Sequence, residues 1–225
     1  MKKLLRRIRL FVQWTLALFF GTTILAVVVL KFLPVYYTPL MFLRLFEQDK
    51  LKLSHQWVPL DEMSPNMPLA VMASEDARFQ EHHGFDFEAI KAAAERNKRH
   101  PEKNRLGAST ISQQTAKNVF LWPGRSWLRK GLEAYYTVLI ELFWSKERIM
   151  EVYLNSIEMG PGIYGVEAVA QEHFGCHASQ LTADQCALIA ATLPNPRRFS
   201  SKAPSNYMKE RQRKIRHEMK FVKPL

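Results

Sequence analysis

Cysteine is nearly absent: two residues in 225, with no CxxC pair and no Cys/His spacing of the metal-ligand kind. That excludes a disulfide scaffold and gives no support for zinc. Acidic residues are missing altogether from the first 31 positions, which carry Lys2, Lys3, Arg6, Arg7, Arg9 and Lys31. The net charge of +11 therefore divides into +6 on residues 1–31 and +5 on all the rest. A nucleic-acid reading of the basic balance loses more than half its support, and nucleic acid is not expected as a partner. Internal repeats and low-complexity stretches are absent too. Hydrophobic residues at 47% and charged residues at 24% exclude wholesale disorder, and the length suits one ordinary domain with an appendage. Few segments alternate with period two, so the fold class expected is mostly α.

What is present begins with a long apolar run. Leu10 to Leu30 is 21 residues without a charge, and a helix needs roughly 20 to cross about 30 Å of hydrocarbon. Five basic residues precede it, which puts the N-terminus in the cytoplasm and the rest outside. A cleaved signal peptide would have a shorter apolar core and a small-x-small site, whereas Lys31-Phe-Leu-Pro-Val-Tyr-Tyr37 follows here. The expected layout is a basic tail (1–9), a transmembrane helix (10–33), a membrane-proximal connector (34–57) and a globular domain (58–225). Tyr36, Tyr37, Phe42 and Phe46 fit either an interfacial belt or the first layer of the core.

Helices are expected from Pro68 toward His82, over Phe87–Arg99, Thr110–Val119, Trp127–Trp144 and Lys146–Met159, and after the capping box Thr182–Gln185 up to Pro194. Gly160-Pro-Gly162-Ile-Tyr-Gly165 matches GxGxxG, but a helical pattern precedes it, so helix termination is the better reading than dinucleotide binding.

Three clusters could carry chemistry. Apolar Leu69, Val71, Met72 and Ala73 lead into Glu75 and Asp76; a helix that presents Glu75 at its end can hold it partly desolvated, as a general base requires. A solvated helix end paired with Arg78 or His82 is the simpler alternative. Thr110, Gln113, Gln114 and Lys117 fall on one helix face, a polar stripe suited to a sugar or a phosphate. Arg125, Arg129, Lys130 and Glu133 are either an exposed ion-pair face or, since the helix continues apolar, a shielded acid among cations. Two separated glutamates with cations describe a glycosyl-transfer site.

Taken in order, ED-x-x-F-x-x-H-x-G (Glu75–Gly84), G-x-STI-x-QQ-x-x-KN (Gly107–Asn118), RK-x-x-E (Arg129–Glu133) and K-x-x-I-x-E-x-YLN (Lys146–Asn155) resemble the blocks of the family 51 glycosyltransferases, the peptidoglycan polymerases. The resemblance runs from about Val58 to Met219. It implies a lysozyme-like helical lobe with a smaller membrane-associated jaw, and polymerisation of lipid II at the outer face of a bacterial inner membrane. Glu75 matches the general base and Glu133 the second glutamate. Asp76, Phe79, His82, Ser109, Thr110, Gln113, Gln114, Lys117, Asn118, Arg125, Arg129 and Lys130 match substrate-binding or supporting positions. The implied partners are lipid II, the lipid-linked glycan, the bilayer and other wall-synthesis proteins. No cofactor is required, though Glu133 could help hold a divalent cation (Mg or Mn). No S-x-x-K motif occurs, so penicillin binding is not expected. Lys146 and Asn155 are expected to be structural, with Tyr153 in the core. The family's Arg-Arg-x-x-Val-Leu pattern reads here as Arg211-Gln-Arg-Lys-Ile-Arg216, which weakens a role for that block. Cys176 and Cys186 could be free or paired. A lytic enzyme and an inactive membrane-anchored scaffold are the rival readings.

Overall fold

A computed structural model describes residues 2–46, 52–102, 107–124 and 126–225. The chain forms two units, residues 1–34 and 35–225. The first is essentially helix α1, Lys2–Leu30, long and apolar enough to cross a membrane. Its polar side chains turn inward on the helix: the hydroxyls of Thr15 and Thr22 donate to the carbonyls of Phe11 and Leu18, at 2.9 and 2.8 Å. In hydrocarbon such back-bonding satisfies a hydroxyl that water cannot reach.

The second unit is mostly α, as expected. Its elements are α2 (Pro39–Leu45), β1 (Ser54–His55), α3 (Asn66–Glu75), α4 (Phe87–Arg99), α5 (Ile111–Phe120), α6 (Trp127–Phe143), α7 (Lys146–Ser156), β2 (Glu158–Gly160), β3 (Ile163–Tyr164), α8 (Val166–Val169), α9 (Ala183–Ala190) and α10 (Asn206–Glu218). Helix starts are set locally. Thr38, Asp86, Thr110, Ser126, Ser145, Thr182 and Ser205 each accept the backbone N–H three residues on, worth about 1 kcal/mol apiece.

Helix α5 is central. It packs against α6, α7 and α2, while α3, α9 and α10 form a second cluster. Tyr153, Tyr164, Phe79, Ile111 and Met72 are among the fully buried side chains that fill the interior.

Two helices stop earlier than their periodicity suggests. The expected helix from Pro68 toward His82 is α3, which begins at Asn66 and ends at Glu75 because Asp76 leaves helical geometry and its carboxylate serves another element. The expected helix to Met159 ends at Ser156, since Glu158–Gly160 pairs as β2 with β3. The short sheet has order β1-β3-β2, with β1 parallel and β2 antiparallel to β3. The GxGxxG glycines thus turn the chain, as expected, through this hairpin and its exit, while α7 has already ended at Ser156. Gly165 has φ +81°, and a Cβ there would lie 2.7 Å from the backbone oxygen of Asn155. Gly165→Ala should therefore lower stability by about 2 kcal/mol or more, read as a fall in thermal midpoint, because neither the positive φ nor the fixed backbone oxygen can yield.

Candidate active site

Glu75 is the last residue of α3 and its side chain is only 14% exposed. Its two oxygens have separate partners. The Ser74 hydroxyl donates to Oε1 at 3.1 Å, and the Gln114 amide Nε2 donates to Oε2 at 3.1 Å. The orientation of Gln114 is fixed from behind, where the Tyr153 hydroxyl donates to Gln114 Oε1 at 3.2 Å. Tyr153 is fully buried; burial first, then the charges of Glu75 and Asp76, pushes its phenol well above its ordinary range. The hydroxyl therefore stays a donor, and the Gln114 amide must present its NH2 to Glu75.

Asp76 anchors this arrangement. Its Oδ1 pairs with His82 Nε2 at 2.9 Å, and its Oδ2 accepts the N–H of Ile111 at 3.0 Å, the first residue of α5. A carboxylate is well placed at a helix N-terminus, where backbone donors lack intrahelical partners. Thr110 and Gln113 form a reciprocal capping box, and the Thr110 hydroxyl also donates to the Gly84 carbonyl at 2.7 Å. The polar stripe of α5 is thus divided: Thr110 and Gln113 start the helix, while Thr110, Gln114 and Lys117 line cavities. Phe79 and His82 are buried behind the site. Lys146 donates to the His82 carbonyl at 2.7 Å and to Glu141 at 2.8 Å, and its ammonium lies 4.5 Å from the Phe79 ring centroid. Asn155 clamps Val58 through both its N–H and its carbonyl, each at 2.9 Å. Both serve the framework, as expected.

Two cavities flank Gln114. One, of about 850 Å³, is lined by Glu75, Ser109, Thr110 and Arg211 among others. The other, of about 530 Å³, is lined by Lys117, Asn118, Arg129 and Arg44 among others. Gln114 and Pro194 belong to both walls. Lys117 is held below the ordinary lysine range, chiefly by burial; Glu133 opposes the shift, and the charges of Arg129, Lys130 and Arg44 add to it.

Glu133 is buried, its side chain 4% exposed, between Arg129 Nη1 at 2.7 Å and the Lys130 ammonium. The shielded reading of this cluster is the one the geometry supports, since Arg129 is buried and packs with the acid. Both Glu133 oxygens are engaged by cations, so a divalent ion there would have to displace them against their charge. Asp76, His82 and Asp86 place their ligand atoms within 4.8 Å of one another. These groups already bond Ile111, Ala89 and each other, with Arg78 3.7 Å from Asp86. Arg125 lies outside the described residues.

Sequence reasoning undervalued Arg211. Its Nη2 donates to Ser74 Oγ at 3.1 Å and lies 3.9 Å from Glu75 Oε1. The signal was the first arginine of the altered Arg-Arg pattern, which survives. The Tyr153 hydroxyl was missed as well; burial alone marks it as core, and only the fold aims it at Gln114. Cys176 and Cys186 are unpaired, and burial pushes the Cys186 thiol up to about 12.

A shielded carboxylate in one cavity, and desolvated cations in the next, suit transfer of a group away from an anionic leaving group. The family model described as "Transglycosylase" matches residues 44–220, and the chain belongs to that family. It is similar to proteins named biosynthetic peptidoglycan transglycosylase. The one from Bacteroides thetaiotaomicron is 58% identical over 98% of this chain and 88% of its own length. That from Bdellovibrio bacteriovorus is 55% identical over 88% and 80%, and that from Pseudomonas syringae pv. syringae 48% over 98% and 92%.

Tyr153→Phe removes only the donor that orients Gln114. Transglycosylase turnover should fall several-fold while stability changes by about 1 kcal/mol, checked by initial rates beside a thermal melt. Unchanged turnover would show that Gln114 needs no such support.

Proposed function

We propose that this chain is a peptidoglycan glycosyltransferase that polymerises lipid II into β-1,4-linked glycan at the outer face of a bacterial cytoplasmic membrane. Helix α1 is its single-pass anchor, with the basic tail on the cytoplasmic side. The observation that carries the reading is the position of Gln114, between a cavity containing Glu75 and a cavity lined by Lys117 and Arg129.

In this mechanism the acceptor lies in the Glu75 cavity. Glu75 takes the proton of the GlcNAc 4-hydroxyl, and the freed oxygen attacks C1 of the MurNAc at the lipid-linked end of the donor. The new C1–O bond forms as the bond from C1 to the pyrophosphate oxygen breaks, and undecaprenyl pyrophosphate leaves with the bonding pair. Attack opposite the leaving group turns an α linkage into β. The leaving group is already a stable anion, so it needs positive charge more than a proton. Lys117 and Arg129 provide that charge in a shielded setting. Glu133 acts on this step through Arg129 and Lys130, holding their charges in place. A lytic reaction would instead need an acid for a sugar leaving group.

The decisive assay is incubation of detergent-solubilised protein with labelled lipid II, with and without Mg or Mn, resolving products by size. Wild type should build a glycan ladder. Glu75→Gln should lose turnover by about a thousandfold or more while still binding lipid II, since shape is kept and the base removed. Near-wild-type turnover in Glu75→Gln would end its assignment as base. Shortening of preformed glycan would favour a lytic enzyme, and no product from folded wild type would favour a scaffold.

Lys117 adds a pH dependence. Its ammonium pKa is lowered, mainly by burial, so as pH rises its charge is lost earlier than for an ordinary lysine. KM for lipid II should climb on the alkaline side, below the usual lysine range. Lys117→Ala should raise KM at neutral pH and flatten that limb.

A further inference from the structure

The cation-lined cavity has a wall that no motif supplied. Leu40 and Arg44, one helical turn apart on α2, line it together with Lys117 of α5 and Arg129 of α6. Helix α2 is firmly seated. Thr38 caps it, Met41 is fully buried, and the helix packs on α5. Its other side is exposed and apolar: Phe42, Leu43 and Phe46 are all solvent-accessible. One short helix thus turns an arginine and a leucine into the cavity and carries a bare hydrocarbon surface beside it.

We infer that Arg44 is a substrate-binding residue that grips the pyrophosphate of a polyprenyl-linked donor, and that α2 receives the junction between that pyrophosphate and its apolar chain. The inference rests on the lipid II reading above and extends it to a segment that the sequence presented as a connector. Gathering Arg44, Lys117 and Arg129 around one cavity incurs mutual repulsion in a partly dry setting. Among the described residues that line the cavity the acid is Glu158, while Glu133 is held by Arg129 and Lys130. The Arg44 charge is among those acting on Lys117, behind burial and the charges of Glu133, Arg129 and Lys130. A pyrophosphate placed there would neutralise the group, and an arginine offers it a forked, charge-assisted contact that a lysine cannot match. The adjacent Leu40, Phe42 and Leu43 offer apolar surface where an isoprenoid chain would depart.

The test uses the full chain in detergent on a Glu75→Gln background, so that binding is measured without turnover. Labelled lipid II is titrated directly and displaced with undecaprenyl pyrophosphate and with undecaprenyl phosphate. Arg44→Ala should weaken lipid II and undecaprenyl pyrophosphate about tenfold or more, the range of a charge-assisted contact. Its effect on the monophosphate should be smaller, and Arg44→Lys should recover part of the loss. Lys214→Ala, a charge removal on an exposed position of α10, should leave binding unchanged. If Arg44→Ala melts below its parent, the pair Arg44→Lys and Arg44→Gln decides, since both keep a long side chain. Parental affinity in a folded Arg44→Ala protein would overturn the inference and leave the polymerase reading standing. Failure of the Glu75→Gln parent itself to bind lipid II would sink both.

Discussion

The carboxylate of Asp76 is the point on which the site depends. One oxygen takes the first N–H of α5 and the other pairs with His82. A buried acid in contact with an unsatisfied helix N-terminus is strongly oriented, because leaving either group alone in a low-dielectric interior is costly. The bond does more than join two elements. It stops α3 one residue earlier, so that Glu75 sits at the helix end, and it fixes the start of α5 against that end. Gln114, one turn into α5, then reaches the Glu75 carboxylate. The separation between the Glu75 carboxylate and the Gln114 amide is set by a contact that neither residue makes.

Around this point the supporting residues form a continuous chain. His82 passes its carbonyl to Lys146, and Lys146 pairs with Glu141 of α6, which also takes the Ser112 hydroxyl of α5. Gly84 lends its carbonyl to the Thr110 hydroxyl, and a side chain there would collide with Thr137 Cγ2 at 2.7 Å. The loop after Glu75 is therefore held between α5, α6 and α7. Polar networks of this kind are costly when incomplete and rigid when satisfied. They suit a site that must hold the Glu75 carboxylate still.

Charge is distributed with similar economy. Glu133 is buried against Arg129 and Lys130, which orients two flexible cations, and Arg129 of the pair lines the cavity. On its own a buried ion pair contributes little net stability. Its worth here lies in position: the acid holds Arg129 in a largely buried setting beside Lys117, while the Lys130 stem reaches it from the exposed side of the helix. Arg211 does the corresponding service near Glu75, at 3.9 Å.

The linear sequence determined a good deal. Spacing, caps and apolar periodicity placed Phe87–Arg99 at its observed bounds and the helix after Thr182 at its observed start, because capping and amphipathic burial are local effects, though that second helix ends at Ala190, short of Pro194. The run of 21 uncharged residues pointed to the N-terminal helix, expected over 10–33 and observed over Lys2–Leu30, where it begins earlier and ends sooner. Glu75, Gln114, Lys117 and Glu133, spread over three of the four linked blocks that resemble a known family, were enough to point to glycosyl transfer. Tertiary structure decided the rest. Thr110 and Gln113 share a helix face with Gln114 and Lys117 yet serve the cap, since the vacancy they fill at the N-terminus of α5 exists only where that helix begins. Phe79 and His82 stand in the motif beside Glu75 but lie behind it, in the interior. Tyr153, Arg211 and Arg44 reach the cavities or their partners from distant parts of the chain. No spacing rule relates residues 44, 75, 114, 153 and 211; side chains that far apart in sequence meet only because burial of apolar surface folds α2, α3, α5, α7 and α10 into one body.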